Sequence, residues 1–232
     1  GRVDEVDAAR LARIAGDVPA SGRVSLVDLD VARDAGGVDL EAAVRWRSLR
    51  YGNVSLGEGA GGAFLKDNLL TLSVESPGRG YALSCELDSL ATSPRGSGRI
   101  ALAGARADSL LTGLRGGAIG AVAVAGTLDF DVAAGGVAFG GPLEMEAPWL
   151  SAPMRADGTA RLEGPDWRLS TRLSADEVDV RGVRTSVLAT LAAGPDTLAV
   201  RGLRLGDHVT ADLGVGLTGA RPVRGSLVVS EA

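Results

Sequence analysis

Three features of this sequence predict an all-β fold, a long antiparallel meander interrupted by two short helices. Turn signals recur roughly every 8–12 residues, as in SPGRG (76–80), GPD (194–196) and GDH (206–208). Between them, apolar and polar residues alternate with the period of two that a half-buried strand requires. Composition agrees: with 34 glycines, 45% hydrophobic residues and only 3% aromatics, the apolar surface must be built from Leu, Val and Ala in many short strands.

Val3–Val6 reads as the end of a first strand. VDAARLARIAG (6–16) has the marks of a short helix over 7–15, with Asp7 as N-cap, Leu11 and Ile14 on one face and Gly16 at C′. GRVSLVDLDVA (22–32) alternates as a strand, but its phase slips at Leu26–Val27, and an adjacent apolar pair inside an alternating run marks a β-bulge. After the turn DAGG (34–37), VDLEAAVRWRS (38–48) places Val38, Leu40, Ala42, Val44 and Trp46 on one face and Glu41, Arg45 and Arg47 on the other. Tyr51, Val54 and Leu56 belong to a further short strand, and GEGAGG (57–62) reads as a loop. LLTLSVE (69–75) and YALSCEL (81–87) flank SPGRG as a hairpin. SPRGSG (93–98) reads as a turn before the strand GRIALAGA (98–105).

The plan then repeats. RADSLLTGLRG (106–116) predicts a second short helix over 107–114, and AVAVAGTLDFDVA (121–133) another alternating strand. DFDVA (129–133) echoes DLDVA (28–32), and each is followed by GGV, at 135–137 and 36–38. The echo divides the chain into two continuous repeats, 1–105 and 106–232, built alike. A strand over 136–146, a Pro-broken stretch at Trp149–Met154, and strands in TARLEG (159–164) and WRLSTRLSADEVDV (167–180) follow. TSVLATLAA, TLAVRGLRL, VTADLGVGL and GSLVVS complete about twelve strands.

Several function classes find no support in these residues. The net charge of −5 offers no basic stripe for nucleic acid. His208 is the single histidine, so neither a Ser-His-Asp triad nor a multi-histidine zinc site can be built within the chain. Gly57, Gly59 and Gly62 satisfy G-x-G-x-x-G, but without the flanking βαβ unit that a dinucleotide site requires. The paired acids Asp28/Asp30, Asp129/Asp131 and Glu144/Glu146 read as the solvated side of a sheet rather than a cation site, since apolar residues fill the alternate positions. Cys85 alternates with Tyr81, Leu83 and Leu87 and reads as a buried, inert thiol. The longest uncharged stretch, Gly116–Leu128, is too short to span a bilayer as a helix. The chain opens on Gly-Arg rather than Met, as an excised segment or mature form would.

The plan DAARLARIAGDVPASGRVSLVDLDV, a short helix leading into a Gly-started strand, resembles the repeats of the AsmA-like superfamily, in particular those of the TamB type. LRLGDHVTADLGVGLTGARPVRGSLVV has the same rhythm, and the resemblance extends over nearly the whole chain. It implies a twisted sheet folded lengthwise into an open trough, in a parent anchored in the inner membrane of a double-membraned bacterium and crossing the periplasm. It further implies conduction of phospholipid acyl chains, contact with neighbouring repeats, and aid to outer-membrane protein assembly with a barrel partner. No catalytic, metal or cofactor residue comes with it.

One physical argument agrees with the resemblance. A sheet with one apolar face, and only two short helices to cover it, must bury that face on itself or on a ligand. The alternate residues of the clearest strands would line a lipid groove: Val44, Trp46, Leu70, Leu72, Val74, Leu83, Val122, Val124, Leu128 and Phe130. Two other readings stay open. One is a closed β-sandwich or β-helix module of a bacterial surface protein; the other is a carbohydrate-binding β-domain, for which Trp46, Trp149 and Trp167 are few.

Overall fold

Alternation over a long segment gives a strand one apolar and one polar side, and an antiparallel partner satisfies its backbone without a crossover. The computed structural model describes residues 3–8, 20–33, 38–52, 54–90, 93–110, 122–133, 136–147, 150–163, 166–180, 182–217 and 223–229. Among them, fifteen strands form one antiparallel sheet in strict chain order. The first seven are β1 (Val3–Asp7), β2 (Ala20–Arg33), β3 (Val38–Tyr51), β4 (Val54–Lys66), β5 (Leu69–Ser76), β6 (Tyr81–Asp88) and β7 (Arg95–Arg106). Next come β8 (Ala123–Ala133), β9 (Gly136–Ala147), β10 (Leu150–Glu163) and β11 (Asp166–Val180). The last four are β12 (Val183–Ala193), β13 (Thr197–Leu205), β14 (Val209–Gly216) and β15 (Val223–Val229).

The outer strands β1 and β15 do not pair with each other, so the sheet is open. The accessible surface of 14126 Å² agrees, since a compact monomer of this length exposes roughly 9,800 Å². The apolar residues that are buried form local patches rather than one core. Ala152, Met154, Ala175, Val178 and Val187 make one, and Ala193, Leu198 and Leu217 another.

Little helix is present among the described residues. Asp7 ends β1 opposite Arg23 and Ala8 after it is helical, while residues 9–15 of the first expected helix lie outside the described set. Of the second expected helix, α1 (Ala107–Leu110) is a single turn, and 111–114 lie outside the described residues. α1 reaches back from β7 to touch β4. The DLDVA and DFDVA echoes lie at the ends of β2 and β8, six strands apart. β7 pairs with β8 from Gly96↔Val132 to Arg106↔Ala123, with one shift between Leu102 and Ala105, across the boundary expected between the two repeats.

Three readings of irregular chain give way to strand. GEGAGG lies inside β4, where Gly59 and Gly61 admit the close approach of the β5 backbone and of an aromatic neighbour rather than making a turn. Gly59 is registered with Trp46, and a methyl group on Gly59 would lie 2.7 Å from indole Cε2. The same pairing recurs where Gly98 faces Phe130 and Gly158 faces Phe139. SPRGSG contributes its last residues to β7, which starts at Arg95. The Pro-broken stretch also continues as strand: Pro153 pairs with Glu144 of β9, while the ladder to β11 is interrupted between Ser151 and Arg155. The missing proline N–H thus falls where the ladder is broken.

The bulge expected at Leu26–Val27 is present, with the β2–β3 register shifting between Leu26 and Asp28. It leaves Val27 38% exposed as the extra residue. The SPGRG hairpin is also present, closed by a 3₁₀ turn (Pro77–Arg79) with Gly80 at φ 69°.

Two predictions follow from this packing. Gly59→Val should cost about 1–3 kcal/mol by overpacking, read as a lower Tm together with red-shifted tryptophan emission as Trp46 is displaced. In β15, Val223, Leu227, Val228 and Val229 are 58–71% exposed, and an exposed apolar edge strand is a template for pairing. The purified 232-residue chain should therefore self-associate with rising concentration in light scattering, and Leu227→Lys should suppress the effect.

Candidate functional site

Side chains at registered positions of neighbouring strands lie on the same side of the sheet. One such row starts at Leu29 and passes through Ala42, Ala63, Leu72 and Cys85 to Gly98 and Phe130. It continues through Phe139, Gly158, Thr171, Leu191 and Val200 to Leu213. Its one polar member, Thr171, is buried and donates its hydroxyl to the Asp157 carbonyl at 3.2 Å. The row one residue away runs Asp30, Glu41, Phe64, Thr71, Glu86, Ser97 and Asp131, on the opposite side.

The groove residues named from the sequence fall into this frame. Val44, Val74, Leu83 and Leu128 share a row with Gly61 and Ile100. Leu70 faces Leu87, Leu72 faces Cys85, and Val124 faces Met145. Trp46 and Phe130 are buried, at 6% and 7% exposure, while Val44, Leu70, Leu72, Val74, Leu83, Val124 and Leu128 are half-buried. Val122 is half-buried just before β8. Sequence reasoning missed the members beyond β8, among them Met145, Met154, Leu173, Val187 and Leu205. Met154 was hidden by the proline beside it; the others sit in alternating runs and were legible.

The opposite side carries solvated charge. Arg99 and Asp129 pair at 2.9 Å with side chains 64% and 70% exposed, and Arg155 pairs with Asp157 at 2.9 Å. Exposed pairs of this kind contribute about 0–1 kcal/mol. A cleft of 790 Å³ there is lined by Thr71, Glu86, Ser97, Arg99, Asp129 and Asp131 among others. Among the described residues no three His, Cys, Asp or Glu side chains come together as a metal site. His208 is exposed in the turn between β13 and β14.

A polar cluster interrupts the apolar rows where β3 to β6 meet their turns. Ser76, fully buried, donates its hydroxyl to the Glu58 carbonyl. The Tyr81 hydroxyl donates to the Leu56 carbonyl at 3.0 Å. Arg79 lies over Gly57 and donates to the Ser55 hydroxyl at 3.2 Å. Burial pushes the Tyr81 phenol above its ordinary pKa, opposed by its hydrogen bond with Ser76 and the nearby Arg79 charge. Burial likewise raises the Cys85 thiol, against a backbone hydrogen bond at Leu72.

No family model, curated protein or solved structure matches this chain.

The Tyr81 shift has a definite pH signature. Folded Tyr81 holds its proton to higher pH than the unfolded chain does, so its contribution to stability is complete below about pH 10 and is lost as pH rises through the raised folded value. The denaturation midpoint should fall in that alkaline window, and Tyr81→Phe should flatten the fall. Cys85, 8% exposed with a raised pKa, should react with a thiol reagent at pH 8 only after unfolding.

Proposed function

We propose that this chain is a segment of an envelope-spanning bridge protein, whose apolar rows line the inside of an open trough and conduct phospholipid acyl chains between inner and outer membranes. The observation that carries this reading is continuity. A row that is aliphatic at both ends and carries Cys85, Gly98, Phe130, Phe139, Gly158 and Thr171 between them runs from β2 to β14 of an unclosed sheet, and most of the predicted groove side chains are only half-buried. A sheet side of this kind has no covering layer among the described residues and gains free energy from any apolar occupant that slides along it.

The magnitudes are compatible with carriage. Removing an acyl chain from a bilayer costs about 0.8 kcal/mol per CH₂, on the order of 10 kcal/mol for a long chain. A surface of Leu, Val and Ala offsets that cost at each step, and its lack of directional polar groups means no single position holds the chain tightly. The resemblance to TamB-type repeats supports the same setting: a periplasmic trough in a double-membraned bacterium, a parent anchored in the inner membrane, and neighbouring repeats continuing the sheet beyond β1 and β15. It also supports a role in outer-membrane protein assembly with a barrel partner. No chemistry is required of the chain, which acts as a passive conduit rather than an enzyme.

The test uses a photo-crosslinking residue at Leu72 and Val124, with Thr71 and Ala123 as controls. Thr71 is registered with Glu86 and Ala123 with Glu146, so both controls lie on the charged side. Phospholipid adducts should form at the first pair alone; equal labelling at all four positions, or none, would remove the basis for a conduit. Leu72→Asp should abolish lipid labelling while the strand signal in circular dichroism persists, because a side chain on an open face can reach water. In a closed sandwich the same change would unfold the domain.

A further inference from the structure

The polar cluster at the turns of β3 to β6 contains a buried donor with no acceptor among the described residues. Trp46 is 6% exposed, and its indole Nε1 is inaccessible to solvent and has no hydrogen-bond partner among them. The direction of that N–H follows from which glycines the ring covers. Indole Cζ3 lies 3.4 Å from the Cβ position of Gly61, and Cε2 lies 2.7 Å from that of Gly59. Cζ3 and Cε2 are para to one another, and Nε1 is bonded to Cε2. The ring therefore lies along β4 from Gly61 to Gly59, with its Nε1 edge toward the Gly57 end of the strand.

Arg79 occupies that place. Its Cγ and Nε both lie 2.6 Å from the Cβ position of Gly57. One hydrogen bond to Ser55 leaves most of the five donors of a guanidinium unused, and no carboxylate among the described residues pairs with it. A half-buried cation and a buried N–H, neither with a counter-ion or acceptor among the described residues, thus lie over Gly57 and Gly59 of the same strand, at the border of an aliphatic surface.

We propose that this cluster is an oxyanion subsite, in which Arg79 and the Trp46 N–H receive a phosphate or carboxylate whose acyl chain lies along Val74 and Leu83. The inference rests on the reading of the apolar side as an acyl-chain surface and adds a preference for anionic headgroups. Arg79 supplies the charge and a planar fork suited to two oxygens. Trp46 supplies a fixed donor in a site shielded from water, and the Tyr81 hydroxyl borders it. Binding moves the guanidinium away from Ser55 and opens the indole N–H to the anion.

Equilibrium binding by calorimetry, with tryptophan emission as a second readout, tests this on the 232-residue chain with three probes. These are octyl phosphate, octanol and inorganic phosphate. Octyl phosphate should bind about tenfold more tightly than octanol, as expected for a hydrogen-bonded charge. Arg79→Met keeps the aliphatic stem over Gly57 and should erase that preference while leaving octanol binding unchanged. Should Arg79→Met fail to fold, Trp46→Phe serves instead, since it keeps an aromatic side chain on β3 and removes the unpartnered N–H; it should weaken octyl phosphate more than octanol. Inorganic phosphate competing as strongly as octyl phosphate, and losing affinity in Arg79→Met, supports the oxyanion site and assigns it to free phosphate; weak competition assigns it to a lipid headgroup. Equal affinity for octanol and octyl phosphate in the unaltered chain overturns the subsite alone. Absence of binding by octanol and octyl phosphate overturns the acyl-chain surface and the headgroup preference with it.

Discussion

The structure depends on register, the constraint that registered side chains of adjacent antiparallel strands fall on one side of the sheet. A slip of one residue at any junction would carry aliphatic residues of every later strand to the charged side. Register is nevertheless interrupted repeatedly, at Leu26/Asp28, Trp46/Leu49, Leu102/Ala105, Ala175/Val178 and Val200/Leu203. Each interruption is compensated in sequence, so that the apolar row resumes on the same side. The bulge in β2 illustrates this: Leu26 and Leu29 both face β3 residues of the apolar rows, Val44 and Ala42, and Val27 is the residue left over. Bulges bend a strand and increase its local twist, which coils a long sheet without closing it.

Aromatic residues are handled by a second constraint. Trp46, Phe130 and Phe139 are each opposite a glycine, at Gly59, Gly98 and Gly158. A ring laid over a bare backbone position covers the strand that glycine would otherwise leave exposed, and raises no ridge across the apolar rows. The same arrangement lays the Trp46 indole along β4 over Gly59 and Gly61, next to the Gly57 position that Arg79 covers. Packing and the polar cluster are thus consequences of one set of glycines.

Much of this was legible in the chain. Strand boundaries around SPGRG, GPD and GDH, the bulge at Leu26–Val27, the burial of Cys85 and the exposure of Asp28, Asp30, Asp129 and Asp131 all follow from local alternation and turn chemistry. GEGAGG was not legible as strand, because glycine signals a turn unless a partner ring needs its space, and that ring arrives from the neighbouring strand. Pro153 misled for a related reason: a proline breaks a strand only where its N–H is needed, and here the ladder to β11 is already interrupted.

The sequence by itself determined the class of structure, the positions of most turns and which residues of each strand share a side, because these are governed by neighbours two to four residues apart. Tertiary structure alone decided the number and order of strands, the open edges at β1 and β15, and the meeting of Trp46, Ser55, Ser76, Arg79 and Tyr81. Those residues lie on four segments whose approach depends on register across β3, β4, β5 and β6. Alternation says which side a residue takes; only the pairing of strands says which residue stands beside it.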